Sequence, residues 1–463
     1  MDERITSGDD GLDEILGGGL PKNAINLIMG LPGSGKTILC QQFMFAGATE
    51  DRPAIYLSTV SEPFEKIVRY AQTLGFFARD AIGRSVFYED LGREVASGSG
   101  LSAVTERIAA LIKERRPGMI AIDSFKALSA FADDSRAFRR FLHDLAALLT
   151  ASPATCFWLG EYGAEETGTA PEFAVADTII SLGTEHVNER TVRLLQILKL
   201  RGGNFRPGRH AYRLSEHGVT AFPRLADPVS DADYRLSGHR ITSGIAPLDA
   251  MLATGYAPGN STLVAGPSGA GKTLMGLHFI VSGAASGEPG VIATLQENRI
   301  QLERVARGFG WSLDAERLAV MYRSPNDVYI DEWVYELLNL IESTGATRVM
   351  IDSLSDLQYA SPDPIRFREF IYSLTQRLSR SGVSSIMTTE TPDLFNLGRL
   401  AEYGISHLSD NVILLQYLRG DSRLMRTVTV LKSRASAHDP EIREFEITSD
   451  GIVLGDAIAN GDR

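Results

Sequence analysis

Short apolar runs alternate along this chain with longer stretches whose apolar positions recur at helical spacing. In the first half, the runs Ala24–Met29, Ala54–Ser58, Met119–Ile122 and Thr155–Gly160 read as strands. Their near-continuous apolar character is what strands buried on both faces show. A stretch from Lys36 and the segments Phe64–Leu74, Ser102–Arg115 and Ala137–Leu149 read as helices between them. This alternation predicts an α/β architecture, a mainly parallel sheet with helices on both faces.

The pattern then returns, with strands predicted at Ser261–Ala265, Val291–Thr294, Val349–Ile351 and Ser384–Thr389. RITSGDDGLDEILGGGLP at Arg4–Pro21 reappears as RITSGIAPLDAMLATGYAP at Arg240–Pro258, and GLPGSGKT as GPSGAGKT, with Lys36 and Lys272 spaced by 236. Asp123 and Asp352 are 229 apart and Lys199 and Lys432 are 233 apart, so matching elements are joined by loops of different length. The period is too long for a solenoid and marks a duplicated domain. Pro223–His239 is polar and acidic, holds two prolines and lacks an apolar period. The predicted organisation is a first domain at 1–222, a linker at 223–239 and a second domain at 240–463.

A chain of 463 residues gives each half room for an ordinary core. Its 58 acidic and 46 basic side chains leave a net charge of −12, which opposes nucleic-acid binding. Two cysteines, Cys40 and Cys156, fit a reducing cytoplasm, and the acidic start MDERITSGDDG carries no secretory signal. Leu145–Gly160 is interrupted by Thr150, Ser152, Pro153 and Thr155, and falls short of the roughly 20 apolar residues of a membrane span.

Candidate chemistry sits at the strand ends. Gly30, Gly33, Ser34, Gly35, Lys36 and Thr37 follow a strand and open a helix, as do Gly266, Ser268, Gly269, Gly271, Lys272 and Thr273. Such a loop turns its N–H groups toward phosphate oxygens, its lysine neutralises the outer phosphates, and its threonine hydroxyl can ligate magnesium. Asp123 and Asp352 close neighbouring strands and can hold the water shell of Mg2+, though an aspartate there can also serve as a turn residue or helix cap. Glu62 and Glu297 follow the second strand of each half and are candidates to orient or deprotonate water; a carboxylate facing a helix dipole is the alternative. Lys199 with Arg201, and Lys432 with Arg434, lie on strand-like segments where alternate side chains face one way. They suit an anion held by an adjacent subunit, or else are solvated strand charges. His143, His186, His407 and His438 lie too far apart in sequence to suggest a metal cluster.

These motifs, together with AIDS, ILKLRG, MIDSLS, DNVILLQY and HDPEIREFEI, make the sequence resemble the double-domain KaiC family within the RecA-like ATPases. The resemblance implies two tandem RecA-like P-loop NTPase domains. It also implies homo-hexameric rings with Mg-ATP between neighbours, and Lys199, Arg201, Lys432 and Arg434 acting across the subunit boundary. It further implies hydrolysis in the first ring and, in clock-type members, autophosphorylation in the second, with a KaiB-like partner. Clock-type members carry adjacent glutamates where this chain has Ser61–Glu62 and Gln296–Glu297. Their Ser-Thr pair corresponds here to Ser406 and His407, and the first half has Phe173 and Ala174 at those places, so Ser406 is the phosphoacceptor candidate, with a turn-capping serine as the alternative. Eleven residues follow Ile452, which argues against a KaiA-type activator. The expectation is a cytoplasmic hexameric ATPase with a conditional serine autokinase. An ATP-assembled signalling module with little hydrolysis and a RecA-like DNA-handling factor are the alternatives.

Overall fold

The computed structural model describes residues 4–59, 64–95, 100–187, 190–226, 239–313, 316–325, 328–361, 363–391, 408–419, 423–434 and 437–458. Each half is built on one nine-stranded sheet. In the first half the order across the sheet is Gly218–Phe222, Arg209–Ser215, Arg190–Leu200, Thr178–Val187, Ile25–Gly30, Thr155–Gly160, Met119–Asp123, Ala54–Ser58 and Val86–Asp90. The last six strands pair in parallel, and the first four form an antiparallel flank. The second half repeats this order, from Gly451–Ala457 at one edge to Leu318–Tyr322 at the other. The chain divides into two units, Met1–Arg224 and Leu225–Arg463.

Alternating side chains of one strand feed two cores, which is why the strand sequences are apolar throughout. Leu27 and Met29 pack toward Ile108, Phe138 and Leu145, whereas Ile28 packs toward Leu12, Leu39 and Phe43. In the second half Leu263 and Val264 divide in the same way. The helices Lys36–Gly47 and Lys272–Ala285 lie under one face; Ser135–Thr150 and Pro364–Arg380 belong to the other. Asp134 caps the third of these and Asp363 the fourth, each accepting two main-chain N–H bonds.

The observed elements depart from the sequence pattern in several places. The helix expected over Phe64–Leu74 ends at Ala71, and the one expected from Ser102 begins at Gly100. The edge strands Val86–Asp90 and Leu318–Tyr322 escape the pattern because they are only partly buried and do not alternate cleanly. No helix among the described residues is long and apolar enough to cross a membrane.

Candidate functional site

Each glycine-rich loop leaves the carboxyl end of a central strand and runs into a helix whose N-cap glycine is left-handed, Gly35 at φ 92° and Gly271 at φ 103°. A side chain there would be strained, so glycine is what lets the loop turn its N–H groups inward. The Lys36 ammonium donates to the carbonyls of Gly30 at 2.9 Å and Leu31 at 3.1 Å; Lys272 donates to Pro267 at 2.9 Å. Burial holds both lysines below their ordinary pKa, offset by carboxylates nearby: Glu161 and Asp123 for the first, Glu390 and Asp352 for the second. The Ser34 hydroxyl is buried and has no hydrogen-bond partner among the described residues.

Beside each loop the helix-opening threonine meets the strand-end aspartate. Thr37 Oγ1 donates to Asp123 Oδ2 at 2.8 Å, and Thr273 Oγ1 to Asp352 Oδ2 at 2.6 Å. A hydroxyl and a carboxylate so placed beside a phosphate loop fit magnesium, which takes few protein oxygens and keeps several waters. Asp123 also accepts from the Tyr56 hydroxyl, and Asp352 from Thr388 Oγ1.

Glu62, Ser61, Ser406 and His407 lie outside the described residues. Glu297 sits three residues past the strand Gly290–Thr294, whose last residue pairs with Asp352 in the sheet. Its main chain is fixed by Thr294 Oγ1, which accepts from its N–H at 3.3 Å and donates to its carbonyl at 3.1 Å. Oε2 is buried and receives no hydrogen bond from the described residues. Burial first, and then the Asp352 charge, raise the Glu297 pKa above the usual carboxylate range. Its neighbour Gln296 is committed elsewhere, with Nε2 donating to Asp356 at 2.9 Å.

The cation pairs lie on the far side of the central strand from this carboxylate cluster. Leu198 and Leu431 are extra residues in their ladders, since Lys199 pairs with Ile179 and Ile197 with Ile180, just as Lys432 pairs with Val412 and Val430 with Ile413. A bulge re-aims the side chains around it. Here each lysine is directed onto main-chain carbonyls: Lys199 onto Phe173 at 3.2 Å and Ala174 at 3.3 Å, Lys432 onto Ser409 at 2.6 Å. Arg201 and Arg434 stand just past their strands, 3.4 Å from Asp177 and 3.8 Å from Asp410.

Sequence reasoning missed two matched pairs. Glu161 follows, and Glu390 closes, the strand beside the central one in its half, and Glu161 Oε1 lies 3.9 Å from the Lys36 ammonium. Their main chains are tied by the residue three past each strand-end aspartate: Lys126 donates to the Glu161 carbonyl at 2.6 Å, and Ser355 Oγ accepts from the Glu390 N–H at 3.0 Å. Arg193 and Arg426 donate to the loop carbonyls of Gly33 at 2.9 Å and Gly269 at 3.5 Å. The repeat spacing, 229 for the glutamates and 233 for the arginines, is the signal that could have found them.

The KaiC ATPase family profile matches twice, at residues 5–226 and 241–457. The chain belongs to the KaiC family. It is 30% identical over 472 residues to the circadian clock oscillator protein KaiC of Synechococcus elongatus, covering 98% of this chain and 89% of that protein. The KaiC of a Picosynechococcus species is 29% identical, with 100% and 91% covered. The circadian clock protein KaiC3 of a Synechocystis species is 30% identical, with 99% and 93% covered. Membership accounts for the tandem RecA-like fold and makes both halves ATPase domains of the KaiC kind.

Proposed function

We propose that this KaiC-family chain is a magnesium-dependent ATPase forming hexameric rings, with ATP gripped between neighbouring protomers in both halves. The observation that carries the reading is the paired threonine and aspartate beside a phosphate-loop lysine, repeated at 2.8 Å and 2.6 Å. Magnesium bound there would neutralise charge on the outer phosphate oxygens. Lys36 and Lys272 would pair with those oxygens in place of their loop carbonyls, Thr37 and Thr273 would offer their hydroxyls to the metal, and Asp123 and Asp352 would hold its waters. Glu297 Oε2 accepts the proton of the attacking water in the second half; Glu62 is assigned the same task in the first. Lys199, Arg201, Lys432 and Arg434 reach the nucleotide of the adjacent protomer. Ser406 is the acceptor for autophosphorylation in the second ring, and a KaiB-like protein is the partner class.

The test measures ATP turnover, bound nucleotide and subunit mass together, with mass-spectrometric mapping of phosphorylated side chains. Lys36→Ala with Lys272→Ala should empty both sites and dissolve the ring; a stable hexamer without nucleotide would sink the reading. Absence of phosphate on Ser406 across metal and temperature conditions removes the kinase part alone. Gln296 favours a second reading, because an amide committed to Asp356 cannot serve as a base: ATP then acts as structural glue in a signalling module. Turnover no faster than that of the double lysine variant would select it.

A further inference from the structure

Two residues after strand Thr155–Gly160, the Tyr162 ring folds back over Gly160, where a Cβ would lie 2.2 Å from the ring. Its hydroxyl donates to Glu172 Oε1 at 3.0 Å. Both residues are buried, Tyr162 at 3% and Glu172 at 2% exposure, and Glu172 Oε2 receives no hydrogen bond from the described residues. A buried carboxylate with one neutral donor and one empty oxygen is a costly arrangement that needs a reason. Burial, and then the Glu172 charge, push the Tyr162 phenol well above its ordinary pKa, so it stays a donor.

Glu172 opens the four-residue helix Glu172–Val175. Its Glu172 carbonyl accepts from the Ala176 N–H, and Lys199 takes the carbonyls of Phe173 and Ala174. The Phe173 ring meets Tyr162 edge-on at 5.2 Å, and the Lys126 ammonium lies 5.0 Å from the centre of the Tyr162 ring. The residue before Tyr162 is Glu161, whose carboxylate faces Lys36. One hydrogen bond thus joins the segment beside the phosphate loop to the helix whose carbonyls hold Lys199.

We infer that Tyr162 is a positioning residue for ATP hydrolysis in the first half: through Glu172 it fixes the helix Glu172–Val175, and with it the place of Lys199. The inference rests on the cross-boundary role of Lys199 proposed above. A group misplaced by about 1 Å loses on the order of 100-fold in rate, whereas its effect on ground-state binding is small. Tyr162 therefore belongs to kcat rather than to KM.

The experiment is a double-mutant cycle in the full chain carrying Lys272→Ala, so that turnover is that of the first half. Tyr162→Phe deletes one hydroxyl and keeps the ring. It should lower kcat by roughly 10- to 100-fold and leave KM for ATP within about twofold. In a Lys199→Ala background it should add almost nothing, since coupled residues are not additive. Glu172→Gln, whose amide oxygen still accepts, should stay close to the parent, and Glu172→Leu should repeat the Tyr162→Phe loss. Equal losses from Tyr162→Phe with and without Lys199, or an unchanged kcat in a folded Tyr162→Phe or Glu172→Leu chain, overturn the positioning role. If Lys199→Ala turns over normally, the cross-boundary reading falls, and the positioning role with it.

Discussion

Asp123 and Asp352 hold the same place in the two halves, yet different neighbours steady them. Asp123 takes both its hydroxyl donors, Thr37 and Tyr56, on Oδ2; Asp352 takes Thr273 on Oδ2 and Thr388 on Oδ1. Tyr56 comes from the outer neighbouring strand and Thr388 from the inner one. Position 56 in the second half is Ile292, and position 388 in the first is Leu159. The same division recurs where Lys126 and Ser355 tie the same main chain with opposite hydrogen-bond polarity. The duplicated backbone fixes where the loop lysine, the helix-opening threonine and the strand-end aspartate stand. The supports behind them were rebuilt separately, so the two halves should fail differently.

The largest effect tests what the halves share. Lys36→Ala and Lys272→Ala should each remove one bound nucleotide per chain, so that nucleotide extracted from purified protein falls from two per chain to one, and to none in the double variant. Residual binding at either altered loop would break the equivalence of the two sites.

Next comes Glu297, where the second half has a described base candidate. Glu297→Gln should cut turnover in a Lys36→Ala chain by about 10²–10⁴-fold. Because burial and Asp352 raise its pKa, the acid limb of the parent pH–rate profile should lie above the usual carboxylate range and vanish in the variant. Ionised Glu297 is disfavoured in the folded state, so Glu297→Gln should also raise the melting temperature of that unit at neutral pH. A variant that is both active and no more stable would remove Glu297 from the mechanism.

Much of this was legible in the chain itself. The parallel strands and glycine loops announce themselves because a doubly buried strand is apolar throughout and a phosphate loop needs glycine at fixed places. What escaped was set by tertiary context. The bulges at Leu198 and Leu431, which turn Lys199 and Lys432 onto carbonyls, depend on pairing with strands some twenty residues away and leave no mark in local composition. Glu161 reads as a loop carboxylate until the sheet carries it to Lys36, and Tyr162 as an ordinary core tyrosine until the fold brings Glu172 to its hydroxyl.

A smaller effect separates the halves by pH. Six residues into each loop helix, a side chain anchors the last hairpin of its unit: Gln42 makes two bonds with the Val219 main chain, at 2.8 Å and 3.1 Å, and His278 Nε2 accepts from the Ile452 N–H at 2.9 Å. Burial lowers the His278 pKa to about 4, with a main-chain bond to Gly244 opposing part of the shift. The anchor needs a neutral ring. Its stabilisation is complete above the unfolded-state value of about 6.5 and declines as pH falls toward about 4. Calorimetry across that window should show the second unit melting earlier while the first holds, and His278→Gln should flatten the difference. Equal acid sensitivity of His278→Gln and the parent would mean that other groups govern the second unit.

The smallest expected effect returns to the aspartates. A carboxylate that holds magnesium through water is oriented by its own hydrogen-bond donors, and outer-shell changes typically cost about 10- to 100-fold in metal affinity. Were Thr37 or Thr273 to bind the metal as proposed, Tyr56 would remain as the named donor on Asp123 and Thr388 on Asp352. Tyr56→Phe and Thr388→Val should each raise the magnesium needed for half-maximal turnover by about 3- to 10-fold, at the low end because the contact is indirect. Each shift should be confined to its own half, read in Lys272→Ala and Lys36→Ala chains respectively. A Tyr56→Phe shift that appears in the second half would show that the supports are shared across the chain, against the separate rebuilding that the two aspartates display.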